Sequence, residues 1–172
     1  MFAAVVVATS FVGYSSLAAQ SSQDWVLQDK KVTPGVLNKD VTQANIATTV
    51  CKSGWTATIR PTVTYTNKLK LDQLKTTYKG LTLTFGTDPS KYEEDHLISL
   101  QLGGNPSDPK NLWPEPYAGI GARKKDVVET ALKRLVCSNQ LKLKDAQKAI
   151  LNWPVAYNKY VTKADKPDTS DN

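Results

Sequence analysis

The stretch from Glu93 to Pro114 constrains this chain more than any other. It holds the protein's single histidine, His96, directly after Asp95, and then an apolar run through Leu97, Ile98, Leu100 and Leu102. Gly103, Gly104, Pro106, Asp108 and Pro109 follow, and then Asn111-Leu112-Trp113. Those glycines, prolines and aspartates are turn formers, so the order reads as a strand ending at Asp95-His96, a turn-rich loop, and a return through Asn111 ahead of a helix. A carboxylate and an imidazole side by side at a strand end can divide the labour of metal-assisted hydrolysis. One holds a cation and the other takes a proton from water.

The rest of the chain supplies enough mass to frame that stretch. Its 172 residues are 40% hydrophobic, which suits one domain with its own core. The formal net charge is +6, carried by 22 Lys and Arg dispersed without a long basic block. That excess favours polyanionic partners, and nothing in the sequence resembles a module that reads bases. No internal repeat is present.

From Met1 to Gln23 the chain carries no charge. Its apolar start and the small residues at Ser16 and Ala18 predict a secretory signal peptide over 1–18, although the usual basic start is missing. Gly13, Tyr14, Ser15 and Ser16 interrupt the segment too early for a span of about 20 apolar residues, so no stable membrane insertion is expected after cleavage. The remaining organisation reads as a loosely held arm over 19–37, a single domain over 38–162, and a disordered polar tail over 163–172. Export alters the reading of the cysteines. Cys51 and Cys137 are expected to pair, closing a loop long enough to stabilise the fold by about 4 to 5 kcal/mol. A zinc site on them is disfavoured, because there is no CxxC pair and the one histidine is engaged elsewhere.

Periodicity sets the elements around the central stretch. Asn38 or Asp40 caps a short helix through Val41, Ala44 and Val50. Gly54 to Tyr65, rich in Thr, aromatic and branched residues, reads as an extended segment broken at Pro61. Thr66 caps a helix from Asn67 to Tyr78, whose Lys68, Lys70 and Lys75 read as a solvated face. Two prolines and two glycines exclude regular structure from Pro114 to Gly121. A helix then runs from Ala122 to Val136, and another from Leu143 to Tyr160 that Pro154 kinks or ends.

The run Glu94-Asp95-His96-Leu97 through Leu102-Gly103-Gly104 to Asp108-Pro109-Lys110-Asn111-Leu112-Trp113-Pro114 resembles the HNH, or His-Me finger, nucleases. More closely it is similar to small exported bacterial proteins described as HNH-like, whose pattern includes Cys51 to Trp55 and Arg60, Pro61, Tyr65 and Thr66. The resemblance implies an α+β fold: a small β-hairpin plus helix, the ββα-metal core, embedded in additional helices with one disulfide. It implies Asp95 as a metal ligand, His96 as the general base, and Asn111 as the amide that braces the loop. The pattern departs at its last position, since no second histidine stands on the following helix. Asp126 and Glu129, one turn apart there, are the candidates to complete the metal site, and oxygen ligands suit Mg or Mn better than Zn.

The expected function is therefore an exported, metal-dependent nuclease of DNA or RNA with low sequence specificity. Arg60, Lys124 and Lys125 are the candidates for substrate binding, with Arg60 able equally to clamp phosphate or to pair with a carboxylate. Two other classes stand beside it. One is a non-catalytic nucleic-acid-binding module that keeps the fold without the metal site, and the other is an envelope-associated protein in which His96 only packs.

Overall fold

Asp88 and Asp108 build the same device twice. Each carboxylate accepts a hydrogen bond from the backbone amide two residues on, Ser90 or Lys110, and each is followed by a proline that opens a single 3-10 turn. The turns deliver the chain into strands β1 (Tyr92–His96) and β2 (Leu112–Pro116). The strands pair antiparallel, with His96 opposite Leu112 and Tyr92 opposite Pro116.

The expectation of irregular structure beyond Trp113 is corrected here, since β2 contains both Pro114 and Pro116. Backbone bonds from Leu97 to Asn111 and from Tyr117 to Lys91 frame the hairpin. Counting inward, Pro114 and Pro116 fall at positions that need no N–H toward β1. The strand tolerates them because their missing donors face its open edge.

The described residues of the computed structural model are 25–166. The expected signal peptide and the end of the tail lie outside them. Among the described residues six α-helices accompany the hairpin: α1 (Trp55–Ile59), α2 (Val63–Lys75), α3 (Lys79–Phe85), α4 (Ala122–Cys137), α5 (Leu143–Ile150) and α6 (Trp153–Tyr160). The fold is thus α+β, a two-stranded antiparallel hairpin among helices, with one disulfide. Val128, Leu132 and Val136 of α4 pack with Ile150, Trp153 and Ala156 around Ile98 and Leu102 of the central loop. Each such side chain withdrawn from water stabilises by about 1.5 to 3 kcal/mol, so the apolar run after His96 is the anchor of the loop. A smaller cluster joins Tyr78, Leu97 and Trp113. Helix α2 grips both strands, Lys70 Nζ donating to the Tyr92 carbonyl at 3.0 Å and Gln73 Nε2 to the Leu112 carbonyl at 2.9 Å.

Several expectations shift. The segment read as extended is helical: Gly54, at φ 77°, opens α1, and Thr62 Oγ1 caps α2 by accepting from Tyr65 N. Thr58 and Thr66 return their hydroxyls to carbonyls one turn back, so branched residues that favour strands are accommodated in helices. Helix α2 begins a turn earlier than Thr66 suggested. The segment around Val41 and Val50 forms a 3-10 helix, Gln43–Thr48, entered through Thr42. Pro154 stands in the first turn of α6, dividing the last helical stretch in two.

The ends are tied down more firmly than their polarity suggested. Trp25 stacks edge-on against Trp153 with centroids 4.9 Å apart, and Thr33 is fully buried, its hydroxyl accepting from Tyr78 at 2.7 Å. At the other end Asp165 accepts two bonds from the Arg134 guanidinium, at 2.9 and 3.0 Å. Cys51 and Cys137 are joined with their Cα atoms 5.5 Å apart across a separation of 86 residues. That loop corresponds to about 4 to 5 kcal/mol of stabilisation, tying the segment before α1 to the end of α4.

Candidate functional site

His96 ends β1 and is 5% exposed. Its Nε2 lies 2.8 Å from the Pro106 carbonyl. A carbonyl only accepts, so the ring donates from Nε2 and carries its lone pair on Nδ1, which has no hydrogen-bond partner among the described residues. Burial lowers the pKa of His96, with the charges of Lys125 and Arg60 acting the same way against the pull of Asp95. The imidazole is neutral at neutral pH and its free nitrogen is able to take a proton.

The loop that receives this bond is braced from three sides. Asn111, fully buried, accepts from Ile98 N at 3.0 Å and donates to the carbonyls of Ile98 at 3.0 Å and Asn105 at 2.9 Å. Asn105 Oδ1 in turn accepts from Ser107 N and Asp108 N. The Tyr65 hydroxyl donates to the Ser107 carbonyl at 2.5 Å. Close approach makes Gly104 obligatory, because a Cβ there would lie 1.7 Å from the Ile98 carbonyl oxygen.

Beneath His96 the charges converge on Lys125. Its ammonium donates to Asp95 Oδ2 at 2.5 Å, to Glu129 Oε1 at 2.5 Å and to the His96 carbonyl at 2.8 Å, which uses all three N–H groups. Lys125 and Glu129 are placed by α4, one helical turn apart on one face, and Ser99 Oγ donates to the second Glu129 oxygen at 2.7 Å. Burial pulls Lys125 toward its neutral form, but Asp95, Glu129 and Glu115 outweigh it and hold the pKa above the ordinary lysine value. Asp95 is resisted by burial and lowered on balance, chiefly by Lys125. Glu115 is fully buried with both oxygens lacking a donor, and burial raises its pKa well above the carboxylate range.

Of the expected metal residues, the structure brings Asp95 and Glu129 together and leaves Asp126 apart. Asp126 is half exposed, 3.7 Å from the Arg123 guanidinium. Among the described residues no three His, Cys, Asp or Glu side chains are grouped to hold a metal ion. As arranged, Asp95 and Glu129 grip an ammonium and do not fit a divalent cation.

Of the expected substrate residues, Arg60 is exposed just past α1, near enough to His96 for its charge to act on the ring, and has no carboxylate partner among the described residues. Lys124 is exposed, its ammonium 5.5 Å from the Tyr157 ring centre. Lys125 is corrected: at 1% exposure and with every donor engaged it cannot receive substrate.

Glu94 was not among the expected site residues. It follows Glu93 into β1, and both its carboxylate oxygens are buried without a partner. Burial, then Asp95, pushes its pKa up to about 8, against Lys70. Tyr65, Ser99 and Glu115 were also missed. The Lys125 and Glu129 spacing of one turn was readable in the sequence, but only contact with Asp95 gives it meaning. Compared with protein-family models, with characterised proteins and with solved structures, the chain matches none.

Proposed function

We propose that this protein is an exported nuclease that cleaves the phosphodiester bonds of DNA or RNA with low sequence preference. One observation carries the reading: His96 is held by its Nε2–H on the Pro106 carbonyl, so that neutral imidazole presents Nδ1 as a general base. A hairpin whose first strand delivers that base, a loop braced by an asparagine amide, and a following helix that contacts the hairpin support the ββα reading of the core. The exposed Arg60 guanidinium is the group suited to a phosphate beside the base. The net charge of +6 raises the rate of encounter with a polyanion. The uncharged N-terminal stretch supports export.

In this chemistry His96 takes a proton from the attacking water as its oxygen bonds to phosphorus and the P–O ester bond breaks, the departing oxygen takes a proton from solvent, and Arg60 balances charge on the phosphate oxygens. Asp95 and Lys125 fix the strand end that carries the base. The test is incubation of the mature, disulfide-intact protein with supercoiled plasmid and with single-stranded RNA, in Mg, in Mn and in chelator, beside His96→Ala. Cleavage that falls by about 10²- to 10⁴-fold in the variant is the expected result.

The placement of Lys125 between Asp95 and Glu129 favours a second reading, a basic nucleic-acid-binding module without catalysis. Folded protein that binds both polymers with strong salt dependence and cuts neither would establish it in place of the first.

A further inference from the structure

Three oxygens, Asp95 Oδ2, Glu129 Oε1 and the His96 carbonyl, converge on one point beneath the strand end. Such a set of oxygens is what a hard divalent cation requires, and the second oxygen of Glu129 is supported as a ligand's usually is, by a hydrogen bond from Ser99. The point is taken by Lys125 Nζ. The lysine stem is buried in the domain, and its helix fixes it one turn from Glu129. A divalent ion could reach those oxygens only by expelling an ammonium that already satisfies all of them. With the ammonium in place, the two cations would stand within a bond length of each other, where like charges in a dry interior repel most strongly.

We propose that Lys125 is the resident cation of this centre: its ammonium takes the place of a divalent ion at Asp95, Glu129 and the His96 carbonyl, and keeps the native chain from binding one there. Removing the side chain beyond Cβ, in Lys125→Ala, leaves an oxygen-lined site open to Mn or Mg. Lys125→Met fills the same space without charge and leaves no such room. Lys125 is in this sense a positioning residue, holding the backbone of His96 and the carboxylate of Asp95 by charge that belongs to the chain.

The inference concerns the same site as the proposed nuclease but is measured on the resting protein. Full-length, disulfide-intact protein freed of metal is titrated with manganese chloride, and free Mn is read by electron paramagnetic resonance. The wild type is expected to show no uptake that Asp95→Asn removes. Folded Lys125→Ala is expected to take up one equivalent at least about tenfold more tightly than wild type or Lys125→Met, and to lose it when Asp95→Asn is added, since one lost carboxylate ligand is worth at least that factor.

The wild type supplies a second measurement that does not depend on any alanine variant folding. The ¹⁵N-labelled lysine ammonium signal absent from Lys125→Met should persist unbroadened in excess Mn. Stoichiometric Mn uptake by wild type that depends on Asp95, selective loss of that signal, or a folded Lys125→Ala with no gain would each overturn the proposal. Failure of nuclease activity is a separate outcome: a chain that cuts nothing but excludes Mn upholds this inference and removes the function, and a chain that cuts with Mn held at Asp95 does the reverse.

Discussion

The Tyr65 hydroxyl donates to the Ser107 carbonyl, one peptide beyond the Pro106 carbonyl that holds the His96 ring. Helix α2 and strand β1 therefore grip adjacent links of one loop, and the position of His96 depends on a residue that never touches it. Tyr65→Phe removes only the hydroxyl. It is expected to lower stability by about 1 kcal/mol, the net worth of one partly exposed hydrogen bond, and to reduce kcat several-fold with KM little changed. Urea denaturation beside steady-state cleavage separates the two effects. A variant with wild-type kcat would show that the loop is held without Tyr65.

On the proposed nuclease reading, the pH profile of cleavage carries a sign set by burial. Because burial, assisted by Lys125 and Arg60, lowers the His96 pKa from its ordinary 6.5, the base stays unprotonated to lower pH than a free imidazole. The acid limb of kcat/KM, which reports the free protein, is expected to turn below 6.5 and to be flat above it until other groups titrate. Arg60→Ala removes one of the charges that depress the ring, so the limb should move upward while KM rises. A limb at or above the free-imidazole value in the wild type would mean that the base is another group.

How much of this was legible in the sequence follows from the range of the forces involved. The strand ending in Asp95-His96 and the helix from Ala122 were readable, because turn residues and apolar spacing act locally. The expectation of export points to Cys51 and Cys137 as a pair, and the two are joined. The run from Gly54 to Tyr65 was misread because strand propensity in branched residues is weak, and here Gly54, the Thr62 cap and the disulfide beside α1 override it. Lys125 reads as a substrate-binding residue beside Lys124 for a related reason. Nothing local distinguishes it from Lys124, and only the fold sets one in solvent and the other among Asp95, Glu115 and Glu129. Glu115 was hidden by its prolines, whose missing donors matter only once the register is known.

Asn111 bonds backbone on both sides of the loop, so its loss orphans several buried groups at once. Asn111→Ala leaves Ile98 N and two carbonyls without partners, and is expected to cost about 2 to 4 kcal/mol by chemical denaturation. Asn111→Asp keeps the acceptor toward Ile98 N but turns an oxygen toward the carbonyls of Ile98 and Asn105. It should be no less damaging at neutral pH and should recover partly in acid, when the carboxyl regains a proton to donate. Equal stability of Asn111→Ala and wild type would show that water replaces the amide.

Glu94 offers a test of the interior that does not depend on activity. Its oxygens are buried without donors, and its pKa stands at about 8 in the fold against the ordinary 4.5. Between those values the folded chain holds a proton that the unfolded chain has released. The associated stability is therefore complete below 4.5 and is lost as pH rises through about 8. Glu94→Gln stays neutral and cannot lose it. Relative to wild type, the variant is expected to gain stability steadily from mildly acidic to alkaline pH, reaching about 1 to 3 kcal/mol near pH 9, the usual range for relieving a buried group left unpaired. Melting curves of both proteins across that range decide it. Parallel curves would mean that Glu94 is ionised in the fold, with Lys70 or solvent meeting its charge, and the carboxylic acid placed beside Asp95 would have to be written as a carboxylate.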